Sequence, residues 1–362
     1  MTVRIPVSAD TLGRSRFAIC AATETVSGIR RRALRLQPAH LRRRLDRAAT
    51  GADPRSLELL HGLIPHDHPY TPDFLTPSPG SALVSVERAA DVVRRTPPDE
   101  VDHHLDIAFR GRAVRPEVAD AFPSTAAYER WRRPMPPPVA DALRAGPAAL
   151  ASRVADALVD YFTAALAPEW DAIRAVLEDD VSHRAEKMAG LGAGAMIDDL
   201  GDGVRWRDGE IRVARPYDVV VDWATDGFVL VPSTAVDAQV LFSAERPRPP
   251  VLTYPARGVS RLWGSSPEQG DDALRELIGD TRALLLAGLD EPRSTWELSR
   301  DMALAPATVS YHLGILRRAR LVRGRRRRRV VLYQRCPLGT RLLGREEGDP
   351  GDLGDLGDLG EN

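Results

Sequence analysis

The chain has 362 residues, with 50 Lys and Arg against 51 Asp and Glu, for a net charge of −1. That length accommodates two domains, one with a large core. An apolar fraction of 43%, no run of about eighteen apolar residues and no signal-peptide core in MTVRIPVSADTLGR lead us to expect a cytoplasmic protein with no membrane partner. Its two cysteines, Cys20 and Cys336, lie far apart in no C-x-x-C motif, which argues against a disulfide framework or a thiolate metal centre.

In chain order, Val3 to Val7 reads as a strand and Phe17 to Leu34 as a helix ending in Arg30-Arg31-Arg32. Pro38 to Ala49 is a second helix carrying Arg42, Arg43 and Arg44, and Arg55 to Leu63 continues the helical period. These arginine clusters suit solvated helix faces better than a nucleic-acid contact. Pro65 to Ser81 is a proline-rich loop. His66 and His68, like His103 and His104, lack the spacing of a zinc site, so no metal is expected. Val84 to Arg95 and Asp99 to Phe109 read as helices, and Pro134 to Pro138 as a break. Leu150, Val154, Leu158, Phe162 and Leu166 recur every four residues along an amphipathic helix from Pro147. A second long helix runs from Trp170 to Leu191.

From Asp202 the pattern becomes strand-like. VRWRDGEIRVA reads as a hairpin turning at Asp208-Gly209. Asp218 to Trp223 and Gly227 to Val231 are expected to pair around Thr225-Asp226, with shorter strands at Gln239 to Phe242 and Val251 to Tyr254. Helices followed by antiparallel strands make residues 1–264 an α+β domain, ending at the SSPEQGDD linker. No Gly-rich phosphate loop, G-x-S-x-G elbow or H-E-x-x-H occurs. The GLGAG at Gly190 to Gly194 has the wrong spacing and no preceding strand. No catalytic residues and no cofactor are therefore assigned, and a sensor or dimerisation role is expected.

Residues 271–344 read differently. Asp271 to Leu289 is a helix with Leu274, Leu277, Ile278, Leu284 and Leu285 on its apolar face. Ser294 and Glu297 form a capping box for the next helix, to which Trp296, Leu298 and Met302 supply apolar contacts. A turn at Ala303-Leu304-Ala305 follows, and Pro306 suits the first position of another helix. Val309, His312, Leu313, Ile315 and Leu316 share one face. Ala307, Thr308, Ser310, Tyr311 and Gly314 lie opposite, with Arg317 and Arg318 at the far end. Small residues admit such a helix to the major groove, where hydroxyls reach phosphates or base edges. Strands at Leu321-Val322 and Val330 to Tyr333 flank an arginine-rich loop in which Gly324 permits a tight turn. Arg325, Arg326, Arg327, Arg328 and Arg329 form the tip, suited to phosphates or a narrow minor groove. Arg293 to Arg345 holds fourteen arginines against Glu297 and Asp301, a net of +12, while Glu346 to Asn362 carries seven acids and no base. The neutral average thus hides a basic module and an acidic tail.

T-V-S-Y-H-L-x-x-L-R-R-A-x-L-V, followed by a basic segment ending V-V-L-Y, resembles the ArsR-type winged helix-turn-helix repressors of bacteria, over about Asp271 to Gly344. The resemblance implies a double-stranded DNA partner, a homodimer built by helices flanking the reading head, and repression; regulation is expected through the N-terminal domain, with a small-molecule effector of unknown identity as a possible partner. Metal-sensing members carry a cysteine pair on the helix before the recognition helix. Here that helix reads WELSRDM, so metal sensing at that position is not expected. Ala305 stands where a Ser cap is common, and Arg320 where a glycine often ends the helix. The rival expectation is an N-terminal enzyme or protein-interaction scaffold with an accessory winged-helix module. Residues 345–362, ending GDLGDLGDLG, cannot bury enough apolar surface to fold and read as a disordered acidic tail.

Overall fold

The computed structural model describes residues 2–32, 39–68, 70–201, 203–215, 218–222, 227–236, 240–243, 249–262, 274, 277–302, 304–327 and 330–343. The architecture is mixed α+β. It divides into two compact units, Met1–Val259 and Ser260–Asn362. The acidic tail lies outside the described residues, as do Arg328 and Arg329 and the Thr225-Asp226 turn. Among the described residues no helix is long and apolar enough to cross a membrane.

The first unit opens with β1 (Thr2–Pro6), α1 (Ala9–Arg14), β2 (Arg16–Phe17), β3 (Ile19–Cys20) and α2 (Ala21–Arg30). A helical body follows: α3 (Ala39–Gly51), α4 (Pro54–Leu63), the short strand β4 (Leu83–Val84), α5 (Val86–Arg94), α6 (Pro98–Ala108), α7 (Pro116–Ala119), α8 (Thr125–Trp131), α9 (Pro137–Leu143), α10 (Pro147–Ala165) and α11 (Trp170–Asp198). The strands β5 (Val204–Arg207), β6 (Glu210–Ala214), β7 (Val219–Val220), β8 (Val229–Ser233), β9 (Leu241–Ser243) and β10 (Val251–Pro255) complete it.

The four-residue stripe of α10 is the axis of the helical body. Leu150, Val154, Leu158, Phe162 and Leu166 are all buried, and α10 packs on α3, α4, α5, α6 and α9. A helix surrounded in this way must be apolar on several sides, and Ala151, Ala155, Ala157 and Ala165 are buried too. The helix α11 is interrupted at Gly192, whose φ of 84° and ψ of 164° are not helical. That glycine is the structural content of GLGAG, and the chain turns there rather than cradling a phosphate.

Asp208 and Gly209 both take positive φ, 54° and 77°, the geometry a two-residue hairpin needs; β5 and β6 pair antiparallel across them. Several expectations for this unit are corrected. Phe17 is not helical: Arg16 and Phe17 pair in parallel with Val229 and Leu230, and the helix begins only at Ala21. The strands β7 and β8 do not pair with each other. β7 lies parallel to β1 at the edge of one sheet, ordered β5-β6-β1-β7, while β8 is central in another, ordered β2-β8-β10-β9. Every residue of β8 is buried, so it requires a neighbour on each side, and β2 and β10 supply them in parallel. The strands are accordingly not purely antiparallel.

Of the arginine clusters of this unit, Arg42 is exposed as expected and Arg43 half-buried, but Arg44 and the Arg30–Arg32 run do not lie on a solvated face. Arg30 donates to His68 O (2.8 Å), Arg32 to His61 O (2.9 Å) and Ile64 O (2.6 Å), and Arg31 to Ala235 O (3.5 Å). Arg44 is buried. It donates to Glu24 Oε1 (2.9 Å), Glu169 Oε1 (2.6 Å) and Thr234 Oγ1 (3.1 Å). Glu24 in turn accepts from Ser233 Oγ (2.6 Å), Thr234 N (3.0 Å) and the Thr234 hydroxyl. His68 is occupied as well: its Nδ1 accepts from Tyr70 N (3.1 Å) and its Nε2 lies 2.8 Å from Trp131 O. Among the described residues no group of three or more His, Cys, Asp or Glu side chains could hold a metal.

Glu24 and Arg44 are 1% and 2% exposed. Removing one partner strands the other charge in the interior, which costs more than the pair itself contributes. Glu24→Ala should therefore destabilise this unit by about 3 kcal/mol, the low end of the usual range because Arg44 keeps Glu169. Urea denaturation of the full chain checks this.

Candidate nucleic-acid interface

The second unit contains α12 (Asp280–Ala287), β11 (Arg293–Ser294), α13 (Thr295–Asp301), α14 (Pro306–Arg318), β12 (Val322–Arg327), β13 (Val330–Arg335) and α15 (Pro337–Leu342). Its three strands order as β11-β13-β12. One core gathers Leu285, Leu286, Leu289, Leu298, Val309, Leu313, Leu316, Leu321, Val322 and Leu343. The expected first helix, Asp271 to Leu289, is not continuous. Gly279 has φ 84° and ψ 146°, and α12 starts after it. Leu274 is buried, but Leu277 is 76% exposed and leaves the apolar face assigned to it.

Ser294 caps α13. Its Oγ accepts from Glu297 N (3.2 Å), and Glu297 Oε2 accepts from Ser294 N (2.7 Å). The turn into α14 is closed by Leu304 N donating to Ser299 O (3.0 Å) and Ser299 Oγ donating to Leu304 O (2.5 Å). Pro306 occupies the first turn of α14, and Ala305 supplies no side-chain cap. Trp296 is exposed rather than part of the core, and the Arg300 guanidinium sits over its ring, 5.4 Å from the centroid.

Along α14, Val309, Leu313 and Leu316 are buried, and His312 and Ile315 are half-buried beside them. Ala307, Thr308, Ser310, Tyr311, Arg317 and Arg318 are exposed, and Gly314 is half-buried. Tyr311 is 65% exposed, a large share for an aromatic side chain. The thirteen residues of α14 span roughly 20 Å, and a helix of ordinary diameter fits the major groove.

The basic segment is built differently from the expected loop. Arg323, Gly324, Arg325, Arg326 and Arg327 belong to β12 and pair with Gln334, Tyr333, Leu332, Val331 and Val330 of β13. Gly324 makes no turn and has no positive φ. A Cβ there would lie 3.2 Å from Tyr333 Cε1, so the glycine makes room for the tyrosine ring across the ladder. Strand alternation puts Arg323, Arg325 and Arg327 on one face, about 6.8 Å apart, and Arg326 on the other. All four are exposed. Arg328 and Arg329, assigned to the tip, lie outside the described residues.

Two features went unread in the sequence. Asp301 is 3% exposed, held by Arg293 Nη1 (2.5 Å) and Arg300 Nη2 (2.6 Å). Glu297 is consumed by the capping box. Asp301 is thus held in the interior and Glu297 in the helix cap, and neither sits on the outward face of α14 or β12. A lone acid in so cationic a stretch was the available signal. Arg335 ties three elements together: it donates to Leu286 O (3.0 Å) at the end of α12 and to Thr340 Oγ1 (3.2 Å) on α15, and pairs with Asp290 (2.9 Å). Alternation alone does not distinguish an inward Arg335 from the outward arginines of β12.

Residues 278–325 match a family described as a helix-turn-helix domain. No match is found among curated proteins or among solved structures. At this coarse level the second unit is a helix-turn-helix domain of the kind used in DNA binding and transcription regulation.

The end of α14 holds a non-glycine residue in the left-handed region. Arg320 takes φ 59°; its N donates to Arg317 O (3.0 Å) and Leu321 N donates to Leu316 O (3.0 Å). This double closure is the Schellman motif, completed by the Leu316–Leu321 apolar contact, with arginine in the position where glycine is unstrained. Arg320→Gly should raise stability by about 1 kcal/mol, read as an increased denaturation midpoint of the full chain.

Proposed function

We propose that this chain is a DNA-binding transcriptional repressor that reads duplex DNA with α14 and grips the backbone with β12 and β13. One observation carries the reading: the small and hydroxyl-bearing side of α14 and the arginine row of β12 are both exposed in one packed unit in which Asp301 is buried and Glu297 is held in a helix cap. Ala307, Thr308, Ser310, Tyr311 and Gly314 face base edges, and Arg317, Arg318, Arg325, Arg326 and Arg327 neutralise phosphates, with Arg328 and Arg329 completing the tip.

In this reading the protein acts in the cytoplasm as a homodimer, presenting two α14 helices to successive major grooves about 34–36 Å apart. Leu338 and Leu342, four residues apart on α15, are 46% and 37% exposed; with Leu277 they supply apolar surface for self-association. The first unit carries out no catalysis. It takes an unidentified effector, whose differential affinity for two states of the dimer sets occupancy of the operator.

Fluorescence anisotropy on genomic fragments tests the proposal. Replacing Arg325 and Arg327 together by Gln should weaken binding to every sequence alike and reduce the slope of log K against log salt by about two. Ser310→Ala should instead change the ranking of operator variants, by about 1–3 kcal/mol at the base it contacts. Equal losses on random and cognate DNA would remove Ser310 from the reading face, and absence of any DNA binding would end the repressor proposal.

A further inference from the structure

Among the described residues, the three strands of the second unit hold no acid: β11 is Arg-Ser, β12 is Val-Arg-Gly-Arg-Arg-Arg and β13 is Val-Val-Leu-Tyr-Gln-Arg. On the face that carries Arg323, Arg325 and Arg327, the residues directly across the ladder are Gln334, Leu332 and Val330. That face is cationic along one strand and largely apolar along the next, with Val330 47% exposed. Arg325 and Arg327 are exposed, and neither has an ion-pair partner among the described residues.

The end of the chain returns to the root of this strand. Cys336 N donates to Leu321 O (2.9 Å), just before β12, and α15 then runs only from Pro337 to Leu342. Leu343 is buried in the core that also holds Leu321 and Val322. Residues 344–362 therefore depart from the core shared with the first residue of β12. From Glu346 onward they carry seven acids and no base, and three Gly-Asp-Leu units each set a carboxylate next to an apolar side chain. Twelve residues lead from Leu343 to Asp355, and a Gly-rich stretch of that length has a root-mean-square span of roughly 17–21 Å. The six residues of β12 cover roughly 20 Å.

An acidic tail raises solubility wherever it is attached. Attachment at the root of the most basic strand adds competition. A tethered group is present at an effective concentration on the order of a millimolar, so weak, exposed ion pairs suffice to occupy the face.

We propose that residues 346–362 dock on the arginine face of β12 and β13 as an internal polyanion. Resting on the DNA-binding reading above, this segment competes with phosphates for Arg325 and Arg327. It suppresses binding to DNA that offers α14 no base-specific contact, while a matching operator displaces it.

The test uses the full-length chain with the seven acids after Arg345 replaced by their amides. Without DNA, phenylglyoxal labelling read by mass spectrometry reports arginine reactivity. At low salt Arg325 and Arg327 should react about threefold faster in the amide variant. The difference should vanish near 1 M salt, where the screening length is roughly 3 Å. Arg55, exposed in the first unit, should react alike in both chains. On a random duplex, anisotropy should show the amide variant binding about fivefold tighter at low salt. That gain should fall below about twofold when Arg325→Gln and Arg327→Gln are added. Unchanged labelling of Arg325 and Arg327, or equal acceleration at Arg55, overturns the contact. Faster labelling without a gain in DNA affinity overturns the competitive role alone. A chain that binds no DNA at any salt strikes the regulatory reading, and faster labelling then still establishes the contact.

Discussion

The orientation of one helix governs what the second unit can present to a partner. Val309, Leu313 and Leu316 lie at intervals of four and three residues and are 0–1% exposed. Burying each contributes roughly 1.5–3 kcal/mol. Rotating α14 to turn any other side outward would forfeit most of that sum and bury Tyr311 or the terminal arginines. The exposed side is therefore fixed by what the opposite side must bury, before any partner is considered. The capping box at Ser294 and the Ser299–Leu304 closure then set where α14 begins.

Arginine runs in the two units meet opposite fates, and local backbone decides which. Arg30, Arg31 and Arg32 follow one another at the end of α2, and each finds a carbonyl acceptor. β12 is an edge strand that pairs with β13 alone, and alternation throws successive arginines to opposite sides. Arg335 escapes this outcome because the end of α12, where orphan carbonyls remain, lies beside it. A charge run in a sequence thus states an amount of cation; the acceptors that the rest of the fold brings beside each side chain state whether it faces in or out.

Elements with strong local signatures were legible: the Ser294–Glu297 box, Pro306, the Asp208-Gly209 hairpin and the stripe of α10 all announce themselves within a few residues. What escaped depends on distant partners. Arg16-Phe17 is a strand only because β8 lies alongside it. The separation of β7 from β8 reflects which edges β1 and β10 offer. Gly324 looks like a turn residue until Tyr333 is placed across from it. Arg320 looks like a poor helix terminator, yet adopts the left-handed conformation because Leu321 gains a buried contact with the core. The exposure of Ala307, Thr308, Ser310 and Tyr311 on α14 was readable too, since the apolar period of Val309, Leu313 and Leu316 fixes which side stays out.

The same helix end joins the reading surface to the surface suited for self-association. Leu321 O accepts from Cys336 N at 2.9 Å, directly before α15. A Cβ on Gly339 would lie 2.6 Å from that Leu321 oxygen and 3.0 Å from Leu286 Cδ1, so α15 abuts the junction with no slack. Leu321 also separates α14 from β12. The terminus of the reading helix, the root of the arginine strand and the helix bearing Leu338 and Leu342 therefore share one close-packed point. Close-packed junctions transmit displacement instead of absorbing it. In the proposed dimer, a change in how α15 pairs would move α14 and β12 together, altering the spacing between the two proposed reading heads while leaving each head internally intact.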